Sequence, residues 1–424
     1  MKETYDAIVV GARCAGSPTA MLLARRGYRV LVVDRATFPS DTVSTHIIHP
    51  PGVAALERWG LLERLEATGC PPAGKYSYDF GQFTIAGSPQ PTNGVSVAYG
   101  PRRTVLDKLL VDAAFEAGAE VREAFTVDEL VFDDGRVIGL TGRSRGKRVT
   151  ERARVVIGAD GRHSLVARAV RPHQYNEKPQ LEVMYYTYWS GLPTDSFEAV
   201  IRPGCGWGVI PTHDDLTMVV MGWPYSELEA IRRDIEGRYL KAFELAPAFA
   251  ERVRAAKREA RFVGTAVSSF FRKPFGPGWS LVGDAGYNKD PVTAWGISDA
   301  FRDAELCASA LDEWFSGSRP FEDAMGDYQR IRDEYSLPMF ELTCGFATLE
   351  PPPPEMQQLL AAVHRDQAET DAFVSVMAGT LPVAEFFAPA NVDRIMTAAA
   401  HRSVPRVLGP SPFTDREGEA AAAL

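Results

Sequence analysis

Cysteine is scarce in this sequence and never paired. The five cysteines (Cys14, Cys70, Cys205, Cys307 and Cys344) are odd in number and far apart, and none belongs to a Cys-x-x-Cys pair. That argues against a zinc ribbon or a disulfide scaffold and fits a reducing compartment. The seven histidines show no metal-ligand spacing, so no metal is expected. No stretch approaches the roughly 18 consecutive apolar residues of a membrane-spanning helix. No basic-then-apolar leader precedes the first strand pattern at Tyr5, and a cytoplasmic location is expected. A Lys/Arg stripe with interleaved aromatics is also missing. With a formal net charge of −9, this argues against a nucleic-acid partner.

What is present is an ordinary globular composition, 45% hydrophobic and 24% charged, in a chain of 424 residues. That length suggests two or three structural units. Asp6-Ala7-Ile8-Val9-Val10 reads as a strand buried on both faces of a parallel sheet. A glycine turn follows, then a helix over 17–26 that Gly27 stops, then a second buried strand over 28–33. A further helix is predicted over 104–116, a hairpin over 127–140 around Asp133-Asp134-Gly135, and a buried strand over 155–159. Between Leu181 and Trp223 the pattern is β-rich and aromatic (Tyr185, Tyr186, Tyr188, Trp189, Trp207, Trp223), as for an antiparallel sheet. A charged helical stretch covers 226–257, a buried strand returns over 279–283, and a helix follows over 297–311. The rest reads as mainly helical, broken at Pro351–Pro354, with a frayed last dozen residues.

Gly11-Ala12-Arg13-Cys14-Ala15-Gly16 lies between the first strand and its helix, and Asp34 closes the second strand. Gly11 permits a tight turn and Gly16 lets helix and strand approach. The helix N-terminus then offers free amides to a pyrophosphate. Asp34 is placed to accept from ribose hydroxyls and would repel a 2′-phosphate, which disfavours NADP in this loop. Arg13 stands where a glycine is usual, so its side chain must either point away from the phosphates or pair with them.

Two further motifs recur in order. Gly158-Ala159-Asp160-Gly161 follows a buried strand; Gly283-Asp284-Ala285-Gly286 leads to Pro291, Gly296 and Asp299-Ala300. Together with the first loop they resemble the single-component, para-hydroxybenzoate-hydroxylase-like (group A) FAD monooxygenases, whose scaffold flavin-dependent halogenases and geranylgeranyl reductases share. The resemblance covers about residues 5–345 and is weak between 175 and 264.

It implies an α/β chain, α+β overall. A Rossmann-like FAD-binding domain would be built from residues 1–75, 100–175 and 264–345. An inserted antiparallel β-sheet substrate domain would take 76–99 and 176–263, and a helical C-terminal region 346–424. Carried over, Gly11, Arg13, Cys14, Ala15 and Gly16 form the pyrophosphate loop, with Asp34 and its neighbour Arg35 at the ribose. Arg103, opening an Arg-x-x-Leu-Asp helix, reaches the phosphates or ribityl chain, and Val127 belongs to the same cofactor set. Asp160 helps organise FAD and a transient NAD(P)H, and Asp284 meets the ribityl hydroxyls. Gly296, Ile297 and Ser298 present amides to the pyrimidine edge of the flavin, where a helix N-terminus stabilises reduced, anionic flavin.

The implied reaction is monooxygenation. NAD(P)H and O2 are consumed, and a flavin 4a-hydroperoxide hydroxylates or epoxidises an apolar, aromatic or polycyclic small molecule. Halogenation, reduction of an isoprenoid double bond and a non-redox FAD-binding cyclase share the scaffold. Gly206-Trp207-Gly208-Val209-Ile210-Pro211 keeps the Ile-Pro of the halogenase pattern but has no tryptophan in register, and Lys75 does not match the halogenase lysine spacing. Candidate pocket residues are Tyr186, Tyr188, Trp207, Pro291 and Trp295, with Arg202 available for a substrate carboxylate. Trp295 either walls the pocket or fills core. His46 and His49 lie in the stretch after the second strand, where a histidine is more often structural; His46 is a candidate proton shuttle, and with Trp295 it is a catalytic candidate. Donor choice between NADH and NADPH, and oligomeric state, stay open.

Overall fold

The computed structural model describes residues 4–403, so the predicted frayed tail lies outside the described residues. The apolar runs read from the sequence form the expected parallel core. Tyr5–Val10 pairs with Val30–Val33 on one side and with Lys147–Gly158 on the other. Glu120–Arg122 and Trp279–Leu281 extend the sheet in parallel at its two ends. The long strand Lys147–Gly158 runs beyond this sheet and turns back as an antiparallel meander with Arg136–Ser144 and Phe125–Asp133.

Because side chains alternate along a strand, the sheet has two apolar faces. Ala7, Val9, Val30, Val32, Val155 and Ile157 pack under the helices Gly16–Arg25, Arg103–Glu116 and Gly296–Phe315. Ile8, Val10, Leu31, Val33 and Val156 pack under the meander and the short helix Leu165–Val170.

The second large sheet runs Lys257–Arg258, Glu182–Ser190, Thr217–Pro224, Cys205–Pro211, Ser196–Arg202, Lys75–Asp79, Thr84–Gly87. Its strands are antiparallel except that Ser196–Arg202 pairs in parallel with Lys75–Asp79, a strand from much earlier in the chain. The charged stretch after Trp223 becomes three short helices, Leu228–Arg233, Ile235–Ala242 and Pro247–Arg254, which cover the outer face. The inner face, with Met184, Tyr186, Tyr188, Ile210, Met218 and Val220, shares one apolar cluster with the C-terminal helices Pro354–Val363 and Gln367–Ala378. The proline run therefore separates the long helix Phe321–Phe346 from the helices that roof the sheet. No described helix is long and apolar enough to cross a membrane.

Candidate active site

Three glycine-bearing motifs converge on one loop. Gly11 has a left-handed φ of +103°, and a Cβ there would stand 2.4 Å from the Ala159 carbonyl oxygen. A Cβ on Gly16 would lie 1.8 Å from the Gly11 oxygen, and one on Gly283 would meet the Ala15 Cβ at 2.8 Å. The Asp160 and Asp284 motifs are thus pressed against the first loop by contacts close enough that only glycine fits at Gly11 and Gly283. Asp34 spans the turn: its Oδ2 accepts from the Ala12 amide and its Oδ1 from the Ala36 amide, both at 2.8 Å. Arg35 beside it is exposed, and Val127 is half-buried in the meander.

Arg13 resolves the choice left open by the sequence: it points away from the loop. Its guanidinium bonds to Asp107, to the Ser40 hydroxyl at 2.9 Å and to the Ser40 carbonyl at 3.3 Å. Asp107 is fully buried and also takes two bonds from Arg103, at 2.9 and 3.1 Å. The buried Cys14 thiol donates to the same carboxylate at 3.4 Å, and burial pushes its pKa well up, so it stays a thiol.

Asp160 caps the helix behind it, its Oδ2 accepting from the Leu165 amide at 2.6 Å, while its buried Oδ1 has no protein partner. Asp284 is exposed yet enclosed by protein. Crowding by the surrounding protein raises its pKa against the pull of Arg103 and Arg162. A Cβ on Gly296 would meet no heavy atom within 4 Å, so the start of the Gly296–Phe315 helix faces open space. Ile297 and Ser298 are buried behind it. An open helix N-terminus, a free carboxylate and an unpartnered buried Asp160 oxygen form a cradle that fits a dinucleotide with a polar ribityl chain.

The FAD binding domain family matches residues 4–336. The chain belongs to this family. It is an FAD-dependent oxidoreductase. Digeranylgeranylglycerophospholipid reductase 2 of Methanopyrus kandleri is 28% identical over 331 residues, covering 73% of this chain and 78% of that one. Among solved structures, the flavin-dependent brominase Bmp2 superposes with a TM-score of 0.78 at 17% identity, covering 94% of this chain and 99% of that one. The PqsL monooxygenase of Pseudomonas aeruginosa gives a TM-score of 0.69 at 20% identity, covering 88% and 99%.

The FAD-family chain places its predicted pocket residues unevenly. Tyr186 and Tyr188 lie on the inner face of the second sheet and pack edge to face. His46, in a left-handed conformation (φ +65°), sets its Nε2 2.6 Å from the Tyr188 hydroxyl. Arg102 lies over the Tyr188 ring at 4.3 Å. Burial, with Arg103 and Arg102 nearby, lowers the His46 pKa to about 3, so the imidazole is neutral at ordinary pH. Pro291 is half-buried in the loop before Gly296.

Trp207 is a correction. The two-residue period of its strand puts it with Cys205 and Val209 on the outer face, against Phe243 and Phe249, and its side chain cannot reach the inner face. Arg202 is likewise spent on Asp79, at 2.9 Å. Trp295 fills core: it is 2% exposed, its Nε1 donates to the Met377 carbonyl at 3.2 Å, and it occupies the space that Gly379 leaves open.

Sequence reasoning did not pick out a buried acid pair that joins this loop to the second sheet. Glu182 opens the strand Glu182–Ser190, and Asp290 precedes Pro291; both are 2% exposed. Glu182 lies where Gly222 has no side chain, since a Cβ there would fall 1.5 Å from its Oε1. Burial and the neighbouring Asp290 raise the Glu182 pKa well above 4.5. Below pH 4.5 folded and unfolded chains both hold this proton. As pH rises toward the native value the unfolded chain releases it first, so stability falls. Glu182→Gln, which keeps a donor for Asp290 without a titrating proton, should melt increasingly higher than wild type between pH 5 and 8. A constant difference across that range in thermal melts would contradict the pairing.

Proposed function

We propose that this FAD-dependent oxidoreductase is an NAD(P)H- and O2-dependent monooxygenase that hydroxylates or epoxidises an apolar, ring-containing small molecule. The observation that carries this reading is the inner face of the second sheet: aromatic and apolar, with the neutral His46–Tyr188 pair as its polar feature. Such a face suits a hydrophobic ring with a hydroxyl to orient. Lys75, whose spacing does not match the halogenase lysine, is exposed, whereas its neighbour Tyr76 is buried and packs in the inner cluster.

FAD, when bound, supplies the electron transfer and the reaction with oxygen. The chain's own residues bind, orient and move protons. Gly11 to Gly16 and Arg103 would take the pyrophosphate, Asp34 the ribose and Asp284 the ribityl hydroxyls. The amides from Gly296 would meet the pyrimidine edge. His46 Nε2 shares the Tyr188 proton, and its buried Nδ1, which has no protein partner, is available to a substrate hydroxyl. Arg162, Arg168 and Arg272 gather around His163 beside Asp160 and support docking of a nicotinamide dinucleotide's phosphates there. The 28% identical reductase favours a second reading, reduction of an isoprenoid double bond.

Product analysis under labelled dioxygen separates the readings. Substrate-stimulated NAD(P)H oxidation with one labelled oxygen atom in the product supports monooxygenation. A saturated product without oxygen supports the reductase, a halide-bearing one a halogenase, and turnover without NAD(P)H or O2 a cyclase. Within the monooxygenase reading, Tyr188→Phe should lower kcat by on the order of 10²-fold, the usual worth of a positioned acid or base. FAD affinity should be unchanged, and an unchanged kcat would remove Tyr188 from proton transfer.

A further inference from the structure

His49 stands where three parts of the molecule meet. It precedes the helix Pro50–Arg58 and is 3% exposed. Its backbone N–H donates to Ser298 Oγ at 3.1 Å. Its ring Nε2 lies 3.1 Å from the Thr293 carbonyl oxygen and its Nδ1 2.9 Å from the Tyr76 hydroxyl. The ring also stacks on Trp295 with centroids 4.9 Å apart.

A carbonyl can only accept, so Nε2 carries the proton. Nδ1 is therefore a lone pair, and Tyr76 donates to it. The tautomer is fixed by its partners. Burial lowers the His49 pKa to about 4, which keeps the ring neutral and this arrangement intact over the working pH range.

Thr293 and Ser298 flank the start of the Gly296–Phe315 helix. Thr293 ends the short turn Pro291–Thr293, and between it and Ser298 the chain passes through Ala294 at φ +57° into the helix. His49 thus holds both ends of the segment that carries the Gly296, Ile297 and Ser298 amides, Ser298 through its backbone N–H and Thr293 through its ring. Through Tyr76, in the strand Lys75–Asp79, it ties that segment to the second sheet.

We propose that His49 is a positioning residue that fixes these amides where reduced flavin places its negative charge. This rests on the reading that the pyrimidine edge lies at the Gly296 helix start. The effect of His49 appears as preferential binding of reduced over oxidised flavin.

The test is the two-electron midpoint potential of the FAD-loaded protein, measured by dye-coupled reduction with no substrate present. His49→Phe keeps the stack on Trp295 and loses both ring hydrogen bonds. Its reduced flavin should bind about tenfold more weakly relative to oxidised flavin, a potential about 30 mV more negative. Tyr76→Phe should shift the potential the same way by less. His49→Gln, whose amide nitrogen can still reach the Thr293 carbonyl, should stay near wild type. Bound flavin at the wild-type potential in His49→Phe overturns the inference. If that variant does not fold, an unshifted potential in Tyr76→Phe does so. A wild-type protein that binds no FAD would instead overturn the cofactor reading, and this inference with it.

Discussion

Gly16→Ala is expected to abolish FAD retention, with the affinity of the apoprotein for FAD falling at least ~100-fold, about 2.7 kcal/mol by the affinity scale. The added methyl would stand 1.8 Å from the Gly11 oxygen, 2.9 Å from its carbonyl carbon and 3.0 Å from the Ala159 Cβ. Neither neighbour can yield cheaply. The Gly11 amide is bonded to Val33 O and the Ala159 amide to Val10 O, each at 2.8 Å, so both are tied into the parallel sheet. The helix must retreat instead, and its first-turn amides retreat with it.

Overpacking of this kind typically costs ~1–3 kcal/mol in stability. The loss of cofactor follows from displacement of the anion-binding helix end. Gly326→Ala is the matched control: it lies inside the helix Phe321–Phe346, and nothing lies within 4 Å of its added methyl. There alanine should be neutral or stabilise by roughly 0.5–1 kcal/mol. Flavin content of the purified proteins and thermal melts read both outcomes. FAD bound normally by Gly16→Ala would contradict the close packing of helix on strand.

The contrast between these two glycines shows which parts of the site a sequence exposes. Gly11 and Gly16 were legible because a strand, a turn and a helix can be recognised from local pattern, and the demand for glycine follows from that geometry. Asp160 and Asp284 were legible because each follows a buried strand. The inner and outer faces of the second sheet were not. Glu182–Ser190 is buried on both sides, by the C-terminal helices and by the three short helices, so alternation carries no polar marker to tell the faces apart. Trp207 went to the wrong face for that reason. Whether Trp295 walls a pocket or fills core was not legible, because the space it fills is made by Gly379, 84 positions further along the chain. His49 and the Glu182–Asp290 pair depend on contacts between segments separated by over a hundred residues, or on a partner such as Tyr76 in another sheet. No spacing in the sequence encodes these.

Asp107→Asn is the second large effect, and it links stability to the cofactor. The carboxylate is fully buried and compensates two guanidiniums at once, Arg13 and Arg103. Asparagine nearly matches its shape, so the change removes charge and leaves no cavity. Arg103, itself 8% exposed, would then be a buried cation without its counter-ion. Breaking a buried pair in this way costs ~3–5 kcal/mol. The apoprotein should therefore melt well below wild type.

FAD brings two phosphate charges. If Arg103 faces them, saturating FAD supplies the missing compensation in the variant on top of the mass-action stabilisation that any ligand gives the folded state. The increment in melting temperature on adding FAD should then be larger for Asp107→Asn than for wild type. Equal increments would mean that Arg103 serves only the helix on which it sits, and that the pyrophosphate is held by the loop amides alone.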